Sequence, residues 1–182
     1  PPEEPQDPPC TITSCPTGYV LDSENCACVK DPCDKNQQNT VKTQFTDPYL
    51  AGRLSQVRTS LEPPNTSIET GFAIYKDANG NNSAPKLITG TDTEHSISIG
   101  FQTTYPGYTP SAILHSHPSG GYASASAGDI YGLAVLHTSI NTVTTSYIVA
   151  ADGSTYAMVV TDPAALDSFL SNYPASENQS NE

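Results

Sequence analysis

The stretch AILHSHPSGGYASASAGDIYGLAVLH, residues 112–137, decides how this chain is read. Ala112 to Leu114 is a short apolar run of strand type that delivers the chain to His115. His115 and His117 stand at i and i+2, so in extended backbone both imidazoles project from one face, close enough to grip a single ion. After a loop over Pro118–Ala125, Ser126-x-x-Asp129 opens a helix whose apolar positions Ile130, Leu133, Ala134 and His137 are predicted to share a face. Strand, loop and helix in this order set a chelating pair at a strand end and a carboxylate one turn into the next helix.

Working outward towards the N-terminus, Ser96–Phe101 alternates Ile97, Ile99 and Phe101 on one face and reads as a strand. Tyr105-Pro-Gly-Tyr108, before the His strand, reads as a turn. Ile68–Tyr75 is a strand turning over at Asn79-Gly-Asn-Asn82 before Lys86–Thr89. Leu50, Leu54, Val57 and Leu61 fall at helical spacing, with Asp47-Pro48 as N-cap and first residue and Pro63-Pro64 as the stop. Towards the C-terminus, strands Ser146–Ala150 and Thr155–Val160 join through Asp152-Gly153, and Asp162-Pro163 caps a last helix ending near Tyr173. These elements specify an α+β (mixed α/β) fold, a central sheet flanked by helices. The domain occupies residues 46–173, and the tail 174–182 is expected to be disordered.

All five cysteines lie ahead of this domain, as Cys10-x4-Cys15-x10-Cys26-x-Cys28-x4-Cys33. Such a core-poor cluster without paired CxxC arms or a nearby His points to disulfides rather than a zinc knuckle, and so to an extracytoplasmic compartment. The pairing and the role of the odd thiol are not legible. Residues 10–45 are therefore expected to be a small Cys-rich knot of loops. Residues 1–9, with five prolines and three acids, are expected to be a linker. The first residue is not Met, which suggests a processed or trimmed chain.

With 7 Lys and Arg against 19 Asp and Glu, the formal charge of -12 repels phosphate backbones and argues against a nucleic-acid partner. No apolar run approaches the roughly 20 residues that a membrane helix needs, so no membrane span is expected.

The chemistry rests on His115, His117 and Asp129 as metal ligands. Two His and one Asp leave a fourth position on Zn²⁺ for a water, whose pKa falls towards about 7. The same donor set suits Fe(II). A nearby general base favours zinc hydrolysis, and Glu69, at the beginning of a strand, is the candidate, ahead of Glu62 and Glu94. Ser126 is the candidate hydrogen-bond donor to an oxyanion on the substrate carbonyl. Each part has a bland reading too: a turn for His-x-His, a capping arrangement for Ser126-x-x-Asp129 and an exposed acid for Glu69. His95 and His137 read as structural.

Glu69, then His115-Ser116-His117-Pro118, then Ser126-x-x-Asp129, resembles the JAMM motif of the JAB/MPN metalloproteases over roughly Ile68 to Thr161. His-Ser-His-Pro-Ser-Gly is similar to bacterial RadC-type members, and Glu69-Thr-Gly resembles the start of the catalytic domain in deubiquitinating members. The resemblance implies a JAB/MPN-like fold in which His115, His117 and Asp129 bind zinc, Glu69 is the general acid/base and Ser126 steadies the tetrahedral intermediate. Eight residues separate His117 from Ser126, one more than the family's usual spacing, and if the loop did not absorb the extra residue Ser124 would take the Ser126 role. The expectation is a bacterial protein, secreted, periplasmic or at the cell surface. It would be a zinc metallopeptidase or isopeptidase acting on a peptide or protein substrate. The rival readings are a non-catalytic adhesion or interaction module of the same fold and a toxin-type effector domain. The oligomeric state is not legible.

Overall fold

The computed structural model describes residues 10–23, 25–31, 35–62, 67–84, 87–90, 97–101 and 105–178. The chain divides into two compact units, Pro1–Thr43 and Gln44–Glu182.

In the first unit, disulfides Cys10–Cys26 and Cys15–Cys28 bracket an antiparallel hairpin of β1 (Tyr19–Asp22) and β2 (Ala27–Lys30). The Asp22 carboxylate holds the turn by accepting from the Asn25 main-chain N–H at 3.2 Å and side-chain amide at 2.7 Å. The expected knot of loops is thus a stapled hairpin followed by a helix, α1 (Lys35–Phe45), whose last residues enter the second unit. That helix escapes a periodicity reading because Val41 and Phe45 are its only apolar residues, so no stripe can form. The linker expected at residues 1–9 and the fifth cysteine, Cys33, lie outside the described residues.

In the second unit, α2 (Pro48–Ser60) starts at Asp47, whose carboxylate accepts the Leu50 N–H at 2.7 Å, and ends at Leu61. A six-stranded mixed sheet follows, with β3 (Thr70–Asp77), β4 (Asn82–Ser83), β5 (Ile88–Thr89), β6 (Tyr108–His117), β7 (Thr145–Ala150) and β8 (Thr155–Val159). Its order is β4-β3-β6-β7-β8, with β5 also pairing β3. β6 runs antiparallel to β3 and parallel to β7, and the β6–β7 crossover contains α3 (Ala127–Ser139). α4 (Pro163–Asn172) begins at an Asp162 cap. The tail expected to be disordered carries the short helix α5 (Ala175–Asn178) in its described part.

Alternation along the strands builds two faces. Phe72, Ile74, Ala112, Leu114, Tyr147 and Val149 meet Leu50, Val57 and Leu61 of α2 in one core. Each of the fully buried Val57, Phe72 and Leu114 contributes about 1.5–3 kcal/mol of burial. The other face carries His115, His117 and Ile148; α3 packs on β7, and Tyr131 of α3 meets Phe169 of α4 at 5.4 Å between ring centroids.

Two expectations change here. Residues 97–101 pair with no strand among the described residues. Their side chains still alternate half-buried and exposed, and Phe101 stacks edge-on to Tyr75 at 5.2 Å. The alternation therefore reports packing on the sheet rather than membership of it. On α3, Ile130 is exposed and Tyr131 takes the inner place beside Leu133, Ala134 and His137. The helix is apolar on nearly every side, so periodicity alone does not choose its inner stripe.

Candidate metal centre

β6 lies inside the sheet, and its last residues put His115 and His117 on one face at 4% and 8% exposure. The third ligand, on a second element, is fixed by local chemistry. Ser126 is the N-cap of α3; its Oγ accepts the Asp129 N–H at 3.1 Å, and the Asp129 Oδ2 accepts the Ser126 N–H at 2.7 Å. This reciprocal cap fixes the rotamer of Asp129 as well as starting the helix. The bland capping reading and the functional reading therefore describe the same atoms.

With its carboxylate so held, Asp129 meets both imidazoles. Oδ1 lies 2.8 Å from His115 Nε2, Oδ2 lies 3.1 Å from His117 Nε2, and the two Nε2 atoms are 3.1 Å apart. His117 Nδ1 donates to the Tyr122 carbonyl at 2.8 Å, so in the neutral ring Nε2 is a bare lone pair. Two ligand atoms each about 2.0–2.1 Å from a tetrahedral zinc ion would be roughly 3.3 Å apart. The observed triangle is close to that, and His115, His117 and Asp129 form a group that can hold a metal ion.

Electrostatics agree with the geometry. Burial by itself raises the Asp129 carboxyl, but hydrogen bonds from His115 and His117, the charge of His115 and the Ser126 N–H hold it far below the usual carboxylate range. Burial also pulls His117 down, yet the Asp129 hydrogen bond and charge, the Tyr122 carbonyl and the charge of Glu69 raise it above its ordinary 6.5. His115 Nδ1 is buried with no hydrogen-bond partner among the described residues.

Glu69 stands one residue ahead of β3 and is half-buried. The β3–β6 register pairs Gly71 with His115, and continued by two residues it sets Glu69 opposite His117, in line with the charge that His117 feels. Of the weaker alternatives, Glu62 is exposed just beyond α2, and Glu94 lies outside the described residues. Ser124 is exposed, while Ser126 Oγ donates to Asp129 Oδ2 at 2.8 Å. His137 is structural: its Nδ1 donates to the Val143 carbonyl at 2.9 Å. His95 lies outside the described residues.

Sequence reasoning missed three contributors. The Tyr122 carbonyl is main chain and leaves no side-chain signal. Ser116, fully buried between the two His residues, and Thr70, next to Glu69, are legible only as the small hydroxyls flanking the candidate groups. A cavity of about 180 Å³ opens at the other end of β6, along Thr109–Ala112, and does not coincide with the His pair.

Compared with protein-family models and with curated proteins, the sequence matches none. What defines the class is then the site itself, a group of two strand-borne His residues and a helix-capping Asp able to bind a metal, in a mixed α+β domain preceded by a disulfide-stapled hairpin. The disulfides are compatible with an extracellular location, and no helix among the described residues is long and apolar enough to cross a membrane.

Proposed function

We propose that this protein is a secreted zinc-dependent peptidase or isopeptidase of the JAMM type. The observation that carries the proposal is the convergence of His115 Nε2, His117 Nε2 and the Asp129 carboxylate, with Glu69 opposite His117 across the β3–β6 register. His115, His117 and Asp129 would hold the ion. When bound, zinc supplies a Lewis acid and a water acidified to a pKa of about 7.

The chain's own residues supply the rest. Glu69 accepts a proton from the attacking water as its oxygen bonds to the substrate carbonyl carbon, and returns a proton to the amine nitrogen as the C–N bond breaks. Ser126 Oγ–H turns from Asp129 Oδ2 to the oxyanion developing on the substrate carbonyl. Tyr122 keeps the His117 proton on Nδ1. The resemblance of the motif Glu69, His115, His117, Ser126, Asp129 to that of the JAB/MPN metalloproteases and the capping geometry at Ser126 and Asp129 support this reading. A peptide or protein substrate fits it, and the two disulfides support secretion.

The test is elemental mass spectrometry of dialysed wild type beside His117→Ala and Asp129→Ala, followed by a peptide and isopeptide library. We expect zinc in the wild type, its loss in both variants, and cleavage that falls about 10²- to 10⁴-fold in Glu69→Gln. A wild type that binds no zinc on reconstitution would overturn the proposal. Zinc without turnover would move the protein to a metal-bearing interaction module.

A further inference from the structure

Glu69 and Thr70 share one peptide group, and both of its polar ends are held. The Glu69 carbonyl accepts the Gly90 N–H at 2.7 Å, and the Thr70 N–H donates to Ser116 Oγ at 2.8 Å. A peptide pinned at both ends cannot rotate without losing a hydrogen bond, so the point on the backbone from which the Glu69 side chain leaves is fixed. Ser116 is the residue between the two His ligands, and alternation turns it to the opposite face of β6 from them.

Ser116 is itself held. Its Oγ lies 3.4 Å from Thr70 Oγ1, Thr70 Oγ1 contacts Ser60 Oγ, and Ser60 Oγ donates to the Val57 carbonyl at 2.6 Å. Each hydroxyl has one proton to give. Because Ser60 spends its proton on Val57, Thr70 donates to Ser60, and Ser116 in turn donates to Thr70. The direction of the chain is therefore unique, running from Ser116 through Thr70 and Ser60 to the C-terminal turn of α2. Ser116 is fully buried and Thr70 is 4% exposed, so water does not compete readily for these bonds.

We infer that Ser116, Thr70 and Ser60 form a hydroxyl relay, buried at Ser116 and Thr70 and half-buried at Ser60, that positions Glu69 against the metal centre, making Ser116 and Thr70 positioning residues for the reaction. The inference rests on the proposed reading of Glu69 as the base. None of the three hydroxyls touches His115, His117 or Asp129 in the described hydrogen bonds, so the relay acts on the base and not on the ligands.

The experiment compares the zinc-loaded chain with Ser116→Ala, Thr70→Val and Thr70→Ser, each alone and combined with Glu69→Gln. Zinc content, kcat and KM on a cleaved peptide, and amide exchange at Thr70 are the readouts. We expect Ser116→Ala and Thr70→Val to keep zinc and KM while kcat falls about 10- to 100-fold, the range for a displaced catalytic group. Thr70→Ser, which keeps the hydroxyl, restores the wild-type rate. In the Glu69→Gln background the same changes cost nothing further, because there is no base left to displace. Equal losses in both backgrounds would show general damage and overturn the inference, as would an unchanged kcat.

Amide exchange needs no substrate. Ser116→Ala should speed exchange at Thr70 by tenfold or more while Phe72 stays protected, and equal Thr70 exchange in both proteins would overturn the clamp. If Glu69→Gln alone leaves kcat untouched, the base assignment fails first, whatever the exchange data show.

Discussion

Replacing Gly71 by Ala is the sharpest test of how the candidate centre is spaced. Gly71 is the β3 residue opposite His115, and a Cβ built there meets the Leu114 carbonyl oxygen at 2.3 Å and Ile99 Cδ1 at 2.7 Å. Ile99 can move. The Leu114 oxygen cannot, because it belongs to the strand that carries the His pair. Relief to an ordinary carbon–oxygen approach of about 3.3 Å needs roughly 1 Å of separation between β3 and β6. Overpacking of this kind costs about 1–3 kcal/mol, which for a unit of this size lowers the melting temperature by roughly 4–12 °C.

Gly52 is the internal control. It sits inside α2 with nothing within 4 Å of an added Cβ, so Gly52→Ala should stabilise by about 0.5–1 kcal/mol through helix propensity. The same chemical change is thus expected to have opposite signs at two positions. The assay is thermal and denaturant unfolding followed by circular dichroism, with zinc affinity measured in parallel. Gly71→Ala should retain zinc, because the three ligands lie on β6 and α3, while losing turnover as Glu69 shifts with β3. A Gly71→Ala protein as stable as wild type would refute the claim that this contact sets the strand spacing at the site.

Three other outcomes are expected. Removing the Asp47 cap with Asp47→Ala, which deletes the acceptor for Leu50 N–H, should cost about 1 kcal/mol in unfolding experiments without altering zinc binding. In the metal-free protein the raised pKa of His117 contributes stability that is present below about pH 6.5 and lost as pH rises through the folded value; the depressed Asp129 contributes stability present above about pH 3.8 and lost as pH falls through its folded value. Zinc needs the neutral imidazole, so its affinity should climb over the window above pH 6.5 where metal-free stability declines, and calorimetry across pH 5.5–8.5 reads both trends (roughly that range brackets the His titration). Reducing the Cys15–Cys28 link, which spans 13 residues, should remove about 3 kcal/mol of loop constraint from the hairpin, seen as faster amide exchange at Val20 and Val29.

Much of the domain was legible because local chemistry and burial agree along it. Asp47-Pro48 and Asp162-Pro163 each start a helix where the cap and the fixed proline φ require one, and Asp152-Gly153 turns β7 into β8. The His115/His117 pair was legible for the same reason, since a strand of period two puts i and i+2 together. Where local signals were weak or one-sided, tertiary packing decided. α1 has no apolar stripe, residues 97–101 pack on the sheet without joining it, and α3 buries Tyr131 in place of Ile130.

By itself the sequence determined which residues are candidates to hold a metal ion, the order of the elements that bear them, and the α+β class, because those follow from residue type and from spacing within one element. Tertiary structure alone decided that β3 lies antiparallel beside β6, in the register that sets Glu69 opposite His117 and Ser116 against Thr70. It also brought Asp129, twelve positions beyond His117, to about 3 Å from both imidazoles. Pairing between distant strands is a choice among many partners with similar local propensity. Only the burial of Phe72, Leu114 and Val149 against α2, summed over the whole sheet, selects one of them.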